Sequence, residues 1–335
     1  MTGSRLQTLI KGRDVVFITV KNKEYIRVVQ IEKMLKDYAG KYRVITSEKG
    51  NPISRTLDIK RRIKALDFSK TDVVIAGFLP QLIWSELYKK GKNENGNISF
   101  IGEVFLSLYD TVALDRKYVS EGSIVAALMK KLDKRVLDEA ELIVTDTKAD
   151  AEFFSTIYGI NSDKFETLYL DAGELCRVDG GKEYNRTEIT RVLYFGTGLP
   201  LQGTDIVLKA FNEVAQKEVF ECIYIGSTKK VPAKLLKSVK ENKNITLIDW
   251  LDQKELFEVI KNADICLAGH FNSEIDKADR TIPGKAYIYE TMGKIMILGD
   301  TRANHEIFIE DDDHLFVKRG DAKALEECIF KAAHM

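Results

Sequence analysis

The sequence lacks the features that mark secreted, membrane-spanning and zinc-bound chains. Its longest apolar run, 73–84, is interrupted by Gly77, Pro80 and Gln81, so it falls short of the ~18–20 residues that a bilayer span needs. The four cysteines are scattered between positions 176 and 328, which favours neither a zinc site nor a disulfide framework. The amino terminus also lacks the charged-then-apolar pattern of a signal peptide. We therefore expect a protein of the reducing cytoplasm.

The chain has no net charge, but its charges are unevenly distributed. Of the 51 basic and 51 acidic side chains, the first 100 residues hold 20 and 10, and the remainder hold 31 and 41. This predicts either a surface that meets an anionic partner or a bias among solvated side chains. The densest basic cluster, with an apolar side, could lie as a helix on acidic lipid headgroups at the inner face of the membrane. Its basic members are Lys60, Arg61, Arg62 and Lys64, and its apolar members are Leu57, Ile63 and Leu66. Aromatic residues do not interleave with basic patches, so we expect no nucleic-acid partner.

Short apolar segments alternate with longer amphipathic ones in the first half of the chain. The segments that predict strands are 14–20, 42–47, 72–78, 97–105, 141–146 and 165–170. A helix is predicted after the first strand, because Val28, Ile31 and Leu35 recur at spacings of three and four residues. Continuous apolar runs of this kind are typical of parallel strands that helices cover on both faces. We predict a doubly wound α/β sheet.

The alternation stops at 171–190, a polar segment with three glycines, and then restarts. The second half predicts strands at 191–196, 220–226, 245–250, 263–269 and 295–300, and helices at 203–217, 252–262, 283–292 and 322–335. We interpret 171–190 as a linker between two Rossmann-like domains, 1–180 and 190–335, with a cleft between them. The last helix could pack back on the first domain.

Three segments resemble the group 1 type of glycosyltransferase, family 4, in its bacterial polysaccharide form. "YFGTGLPLQGTDIVLKAF" (194–211) looks like the opening strand, loop and helix of the donor domain in that family. Segment 263–308, with its Pro-x-Lys helix, is similar to the block that contains the donor loop, and 102–160 resembles the acceptor domain. The resemblance implies a GT-B fold, in which two facing Rossmann-like domains bind the sugar nucleotide mainly in the second and the acceptor in the first.

A glycine-containing loop and a helix start carry the expected donor site. Gly196, Gly198 and Gly203 lie between a strand and a helix, where glycines let backbone N–H groups approach a phosphate. They could instead only shape a turn. The second helix start adds Pro283, Gly284 and Lys285, preceded by Arg280, and His270 follows a strand directly. Pro283 suits a first helical turn, and Lys285 and Arg280 could neutralise a diphosphate or be ordinary surface cations.

Several positions depart from the pattern of the family. Where the family carries an Arg and a Lys around the glycine loop, this chain has Thr197 and Gln202, and the ribose-binding Glu is replaced by Ile288. Glu290 is nearby but lies about 200° around a helix from position 288. We keep Thr197, Gln202 and Glu290 among the expected donor contacts. These departures open the alternative of a catalytically silent GT-B protein that serves as a partner or acceptor-binding subunit.

Carboxylates in the first domain are candidates for the acceptor side. Glu103 ends a predicted strand and Asp110 follows it, so either could accept or orient the proton of an acceptor hydroxyl. The resemblance favours Asp110 and Arg116 as members of an acceptor-side motif. Asp110 could instead cap a helix, and Arg116 could pair with Asp115 or Asp133.

The main hypothesis is a retaining glycosyltransferase that moves a hexosyl group from a nucleoside diphosphate sugar to a glycan or a lipid-linked acceptor. The resemblance implies no protein nucleophile, so cations and helix termini would stabilise the departing diphosphate. It also implies no cofactor and no metal, and we interpret Asp311–Asp313 as a solvated turn. Another GT-B activity on a sugar nucleotide, such as epimerisation, is a third option.

Overall fold

The computed structural model describes residues 4–173 and 188–335, which form two compact units, Met1–Asp171 and Ala172–Met335. Most of the predicted linker, 171–190, lies outside the described residues. Each unit is built on one sheet, and both sheets are parallel and six-stranded in the described part of the chain. The predicted α/β architecture with two doubly wound domains is therefore confirmed.

The first unit follows the predicted alternation of strands and helices. Its strands are Asp14–Thr19 (β1), Lys41–Ile45 (β2), Val73–Gly77 (β3), Ser99–Glu103 (β4), Leu142–Thr145 (β5) and Phe165–Thr167 (β6). Its helices are Arg5–Ile10 (α1), Ile26–Tyr38 (α2), Pro52–Ala65 (α3), Trp84–Glu94 (α4), Ile124–Glu139 (α5) and Lys148–Tyr158 (α6). The strand order β2-β1-β3-β4-β5-β6 changes direction between β1 and β3, which makes that pair the switch point of the sheet.

The second unit repeats this plan. Its strands are Thr190–Gly196 (β7), Phe220–Gly226 (β8), Ile245–Ile248 (β9), Ile265–Gly269 (β10), Ile295–Gly299 (β11) and His314–Val317 (β12). Its helices are Thr204–Val214 (α7), Ala233–Glu241 (α8), Gln253–Asn262 (α9), Lys277–Arg280 (α10), Gly284–Thr291 (α11) and Ala322–Ala333 (α12). The order β12-β11-β10-β7-β8-β9 places its switch point between β7 and β10.

Both faces of each sheet are buried, as the continuous apolar runs predict. In β1, Val16 and Ile18 belong to one apolar cluster, and Val15 and Phe17 belong to another on the opposite face. In the second unit, helix α12 packs against α7 and buries its apolar stripe in the core of that unit. Among the described residues, no helix is both long and apolar enough to cross a bilayer.

Local capping explains where several helices begin and end. The Asn51 side chain accepts a hydrogen bond from the Ser54 N–H (2.9 Å) at the start of α3. Helix α9 begins with a reciprocal capping box between Asp252 and Glu255. Helix α6 ends at Gly159, whose φ of 65° is a left-handed conformation that glycine adopts without a steric cost.

A single buried carboxylate fixes the segment that follows β4. Asp133, on α5, accepts hydrogen bonds of 2.8–2.9 Å from five donors on both of its oxygens. The donors are the Gln81 amide, the Ser107 and Tyr158 hydroxyls, and the backbone N–H groups of Leu108 and Tyr109. Because these partners come from three separate parts of the first unit, Asp133 joins them to α5 in one arrangement.

Replacing Asp133 by Asn should destabilise the first unit. The substitution puts an NH2 group in place of an oxygen that accepts two or three hydrogen bonds, and each buried donor left unpaired costs about 1–3 kcal/mol. We expect the free energy of unfolding to fall by about 3 kcal/mol or more. Urea unfolding monitored by tryptophan fluorescence measures this, because Trp84 is buried in the first unit whereas Trp250, in the second, is exposed.

The matched control is Asp138→Asn on the same helix, where the exposed carboxylate pairs with Lys134 (2.7 Å). Its cost should stay below about 1 kcal/mol, as for other exposed ion pairs. Equal unfolding midpoints for the two variants would contradict the role given to Asp133.

Candidate functional site

The glycine loop of the second unit leaves the central strand of its sheet at the switch point. The loop runs from Gly196, at the end of β7, to Gly203, before α7. Gly198 and Gly203 have φ values of 71° and 65°, and a Cβ at Gly203 would lie 2.9 Å from the backbone N of Asn272. Larger residues would therefore be strained at Gly198 and would also clash at Gly203. Glycine at these two positions therefore fixes the conformation of the loop.

Gln202 holds the glycine loop together from within. Its side-chain oxygen accepts a hydrogen bond from the Leu199 N–H (3.1 Å), and its backbone oxygen accepts one from Phe271 (3.4 Å). The Gln202 side chain is buried, whereas Thr197 at the tip of the loop is exposed. The Gln202 side chain is thus engaged in the loop and shapes it, and its expected contact with the donor stays a prediction.

Lys285 is a buried cation with no anion beside it. The residue is 6% exposed, and among the described residues its Nζ atom has no hydrogen-bond partner. Nζ lies 3.7 Å from the ring centroid of Tyr194 and 5.5 Å from that of Phe195, the two residues that precede Gly196. Burial lowers the pKa of Lys285 well below its usual value. The ammonium group thus lies beside the glycine loop and between the ends of β7 and β10.

The amino terminus of α11 adds a second source of positive potential. Pro283 is the N-cap residue and Gly284 the first helical residue, one position later than predicted. The first N–H groups of a helix have no acceptor within that helix, and its dipole favours a negative charge there. A Cβ at Gly284 would meet nothing within 4 Å, so this end of the helix is open. The predicted helix start is confirmed to within one residue.

His270 and Arg280 lie near this helix start, but they differ in charge and engagement. Burial and the neighbouring Lys285 lower the pKa of His270 to about 3, so its imidazole is neutral at physiological pH. Its Nδ1 atom lies 3.4 Å from the Thr281 hydroxyl. Arg280 is buried and donates from Nε to the exposed carboxylate of Asp276 (2.8 Å). His270 is therefore available for a neutral hydrogen bond, whereas the Arg280 guanidinium already has a carboxylate partner.

Glu290 does not join these residues. Its exposed carboxylate pairs with His314 Nε2 (2.7 Å), near the other end of α11 from Lys285. Ile288, which occupies the position of the family glutamate, is half-buried. The expectation of a donor contact from Glu290 is thus not supported by its position.

Acidic residues 311–313 form the predicted polar turn. The Asp311 carboxylate accepts hydrogen bonds from the N–H groups of Asp313 (2.9 Å) and His314 (2.8 Å). In residues 4–173 and 188–335, no three His, Cys, Asp or Glu side chains come together in a way that could hold a metal ion.

In the first unit, Glu103 is part of a buried ion network. One carboxylate oxygen pairs with Arg27 Nε (3.1 Å), and the other accepts a hydrogen bond from the Phe78 N–H (2.7 Å). Arg27 also pairs with Asp146 and donates to the backbone oxygen of Leu168 (2.6 Å). Both oxygens of Glu103 are engaged and the side chain is 2% exposed. Burial raises the pKa of its carboxyl to about 7. Its contacts position the neighbouring loop, and its expected role as a proton acceptor stays a prediction.

Asp110 is the first residue of a short helical turn after β4, Asp110–Asp115, and Arg116 follows that turn directly. Asp110 is buried, and its N–H donates to the Ser107 hydroxyl (3.0 Å). Arg116 pairs with the buried Asp115 (3.2 Å), which is one of the two structural partners that the sequence predicted. The turn is held by Asp133 through Ser107, so the position of Asp110 depends on that carboxylate.

Arg27 and Tyr194 were missed by sequence reasoning, although Arg27 left a signal. Arg27 lies four residues before Ile31 and eight before Leu35, so it shares the apolar stripe of α2. A cation on a buried stripe indicates a buried partner. For Tyr194 there was no such signal, because an aromatic residue within a strand is typical of any core.

The comparisons with known proteins agree with this architecture. Residues 189–334, which lie within the second unit, match the family described as glycosyl transferases group 1. No curated protein sequence matches the chain.

Solved structures with the same fold cover nearly the whole chain. HepE (Alr3699) of Anabaena, solved in complex with UDP, is 10% identical with a TM-score of 0.63, over 96% of this chain and 90% of that one. The sucrose-phosphate synthase of Thermosynechococcus elongatus is 11% identical with a TM-score of 0.63 over the same shares. A glycosyltransferase of Rickettsia africae is 14% identical with a TM-score of 0.61, over 96% and 88%. At these identities the likeness shows the fold, and the expected GT-B architecture is confirmed.

Replacing Arg27 by Met should strongly destabilise the first unit. The change leaves the carboxylates of Glu103 and Asp146 without their buried cation, and breaking a buried pair in this way costs about 3–5 kcal/mol. Urea unfolding followed by Trp84 fluorescence measures the loss. The control Arg62→Met removes a half-exposed pair with Asp58 on α3, so its cost should be below about 1 kcal/mol. A mild effect of both substitutions would show that Arg27 is not the centre of the network.

Proposed function

We propose that the protein is a retaining glycosyltransferase that moves a hexosyl group from a nucleoside diphosphate sugar, with UDP-sugars as the first donors to test. The acceptor is a glycan or a lipid-linked sugar. The observation that carries the proposal is the unpaired ammonium group of Lys285 beside the glycine loop and the start of α11. The group 1 match over 189–334 and the UDP that HepE binds support the same conclusion.

The energetics of Lys285 favour an anionic ligand. An isolated buried charge is costly, and a diphosphate would replace the missing partner while the N–H groups of α11 accept the remaining charge. The two aromatic rings beneath Nζ hold the ammonium group in place in the free protein. The site is therefore ready for a diphosphate before the ligand arrives.

The same groups explain how transfer would proceed. As the bond between the sugar and the diphosphate breaks, negative charge grows on the leaving phosphate, and Lys285 and α11 stabilise it. Neutral His270 donates or accepts one hydrogen bond near the reacting sugar. Retention means that the product keeps the anomeric configuration of the donor, and the mechanism needs no protein nucleophile.

The departures at the glycine loop do not favour the silent alternative. Gln202 is neutral where the family carries a cation, but it stabilises the loop from within. Lys285 supplies the missing positive charge from a different element. A protein without donor chemistry would have no use for a buried ammonium group that lacks a partner.

Replacing Lys285 by Met should separate stability from binding. Without ligand, the variant should melt at the same or a higher temperature, because a buried unpaired charge is replaced by an apolar chain of similar length. Its affinity for UDP should fall about tenfold to a hundredfold, since a hydrogen bond to a charged group contributes about 1.5–3 kcal/mol. Thermal unfolding with and without UDP measures both effects. UDP at 100 times its dissociation constant adds about 2.7 kcal/mol to the stability of the wild type.

The control is Lys254→Met on α9, an exposed lysine, which should leave both melting temperature and UDP affinity unchanged. GDP, ADP and dTDP are measured beside UDP to identify the base. If none of the four raises the melting temperature of the wild type, the donor function is wrong.

The apolar side predicted for the basic cluster on α3 is only partly exposed. Ile63 of the basic cluster is buried, and Leu66 packs against the same core, so the predicted apolar side of α3 is not free. Lys60 and Arg62 pair with Glu86 (3.4 Å) and Asp58 (3.3 Å). Only Leu57 of the predicted apolar side is exposed.

A further group of exposed apolar residues lies around the start of α5. We call these residues the α5 patch, and its four large members are Tyr118, Ile124, Val125 and Leu128. The Ile124 side chain is 89% exposed. Ile124 and Leu128 are four residues apart and continue on the same helix face to Lys131. An apolar face with cations beside it suits the surface of an anionic bilayer, and this supports a lipid-linked acceptor.

The double variant Ile124→Gln, Leu128→Gln should lose affinity for anionic vesicles. Each large apolar side chain contributes about 1.5–3 kcal/mol when it is buried, so binding should weaken at least about tenfold. Co-sedimentation with vesicles of phosphatidylglycerol and phosphatidylcholine measures it, and phosphatidylcholine alone should bind the wild type less. The control Ile309→Gln removes an exposed apolar residue from the second unit. Equal sedimentation of the wild type and the double variant would rule out the α5 patch as the contact.

A further inference from the structure

Four side chains meet at the switch point of the first sheet. Lys21 and Tyr25 follow β1, Phe78 follows β3, and Phe105 follows β4. These three strands are neighbours in the sheet. The ring centroids of Tyr25 and Phe78 are 5.5 Å apart, those of Phe78 and Phe105 are 5.3 Å apart, and those of Tyr25 and Phe105 are 6.2 Å apart. All three rings are half-buried, so each keeps accessible surface. We call these four residues the ring cluster.

Phe78 occupies a backbone conformation that its side chain disfavours. Its φ is 66°, in the left-handed region where glycine is the usual residue. The conformation is held by the hydrogen bond from the Phe78 N–H to Glu103, which Arg27 in turn fixes. A buried ion network thus places a large ring where a glycine would fit with less strain. Such strain is characteristic of positions that contact ligands.

Lys21 brings a positive charge to the rings without an acidic partner. Its Nζ atom lies 3.9 Å from the ring centroid of Phe78 and 4.4 Å from that of Tyr25, and no described carboxylate pairs with it. Burial and the nearby cation Arg55 lower the pKa of Lys21. An anion at this position would relieve both effects. The N–H groups at the start of α2, next to Tyr25, point to the same end of the sheet.

The arrangement matches the one around Lys285. In each unit, a lysine ammonium group without an acidic partner lies over aromatic rings at the switch point of a parallel sheet. The difference lies in access. Lys285 is buried, whereas Lys21 and its three rings are half-exposed. The site around Lys21, in the first unit, is therefore open to a ligand that has a flat apolar face beside its charged group.

We propose that the ring cluster is a second ligand site, which binds a sugar ring that carries a phosphate group. The apolar C–H face of a pyranose packs on Phe78 and Phe105, and the phosphate group pairs with Lys21. This inference rests on the proposed function in one respect: it names the acceptor of the transfer as a phosphate-bearing sugar. That chemistry has two sources, a soluble sugar phosphate or a sugar linked to a lipid by a diphosphate.

The test measures binding of hexose 1-phosphates to the full-length protein by calorimetry, with UDP present at saturation to occupy the donor site. The probes are the 1-phosphates of glucose, galactose, mannose and N-acetylglucosamine, with inorganic phosphate alongside. At least one sugar phosphate should bind, and Lys21→Gln and Phe105→Ala should each weaken it at least tenfold. Phe105 belongs to none of the apolar core clusters, so its removal should leave the fold intact. The control Lys23→Gln, in the same loop, should change nothing.

A third variant separates ligand binding from folding. Phe78→Gly removes the ring but suits the left-handed conformation, so its melting temperature should match or exceed that of Phe78→Ala while both lose the ligand. If Phe78 served only to stabilise the core, both variants would melt lower and binding of the sugar phosphate would persist in the folded protein.

Three results would overturn the proposal: no binding of any of the four sugar phosphates, equal binding of inorganic phosphate, or unchanged binding in Lys21→Gln. The UDP-induced shift in melting temperature, measured separately, reports on the donor function alone. A protein that binds a hexose 1-phosphate but not UDP would keep this site and refute the donor function. A polyprenyl diphosphate sugar in detergent that binds more tightly than the soluble compounds would identify the lipid-linked source.

Discussion

In a parallel sheet that is buried on both faces, functional side chains can meet a ligand only where the strands end. Both units obey this constraint. Helices cover the two faces of each sheet, so polar and charged side chains with a function collect in the loops at the carboxyl ends of the strands. The strand order reverses at one point in each sheet, and this opens a gap between two of these loops. The gap lies at β1 and β3 in the first unit and at β7 and β10 in the second. A lysine ammonium group lies over aromatic rings at each gap.

The two units treat buried charge in opposite ways. In the first unit, Arg27, Glu103 and Asp146 satisfy one another, and their contacts hold the backbone of a neighbouring loop. In the second unit, Lys285 is left without an anion. The Arg27 network stabilises the first unit and fixes the position of a loop. The unpaired Lys285 lowers the stability of the second unit, and in the proposed function it pairs with the diphosphate of the donor. In the proposed function, the same physical cost thus serves a structural purpose in one unit and a binding purpose in the other.

The fold was largely predictable because strand and helix patterns are local. The strands β1, β3 and β10 are continuous apolar runs, and the residues that predicted α2, namely Val28, Ile31 and Leu35, are all buried. The site was less predictable because its contacts are distant in sequence. Glu103 meets Arg27 across 76 positions, and no local pattern indicates that pairing. The helix start at Gly284 and the glycine loop were found because backbone conformation leaves a local signature.

One error has a simple physical origin. The apolar side predicted for α3 joined Leu57 to Ile63, although six residues at about 100° each place them about 120° apart on a helix. The buried stripe uses Ile59 and Ile63 instead. The structure also adds what the resemblance did not imply for Gln202: its amide oxygen satisfies a backbone N–H of its own loop.

The bond between Glu103 and the Phe78 N–H has a consequence for how this protein can change. It ties the end of β4 to the end of β3, so the charge network and the ring cluster are one cooperative unit. Residues that share such a unit show large pairwise coupling, and their substitutions do not add. A variant that tolerates glycine at 78 would lose much of its need for the carboxylate at 103, and then for the guanidinium at 27. The sequence of this region would therefore drift in steps of several residues, with single replacements selected against.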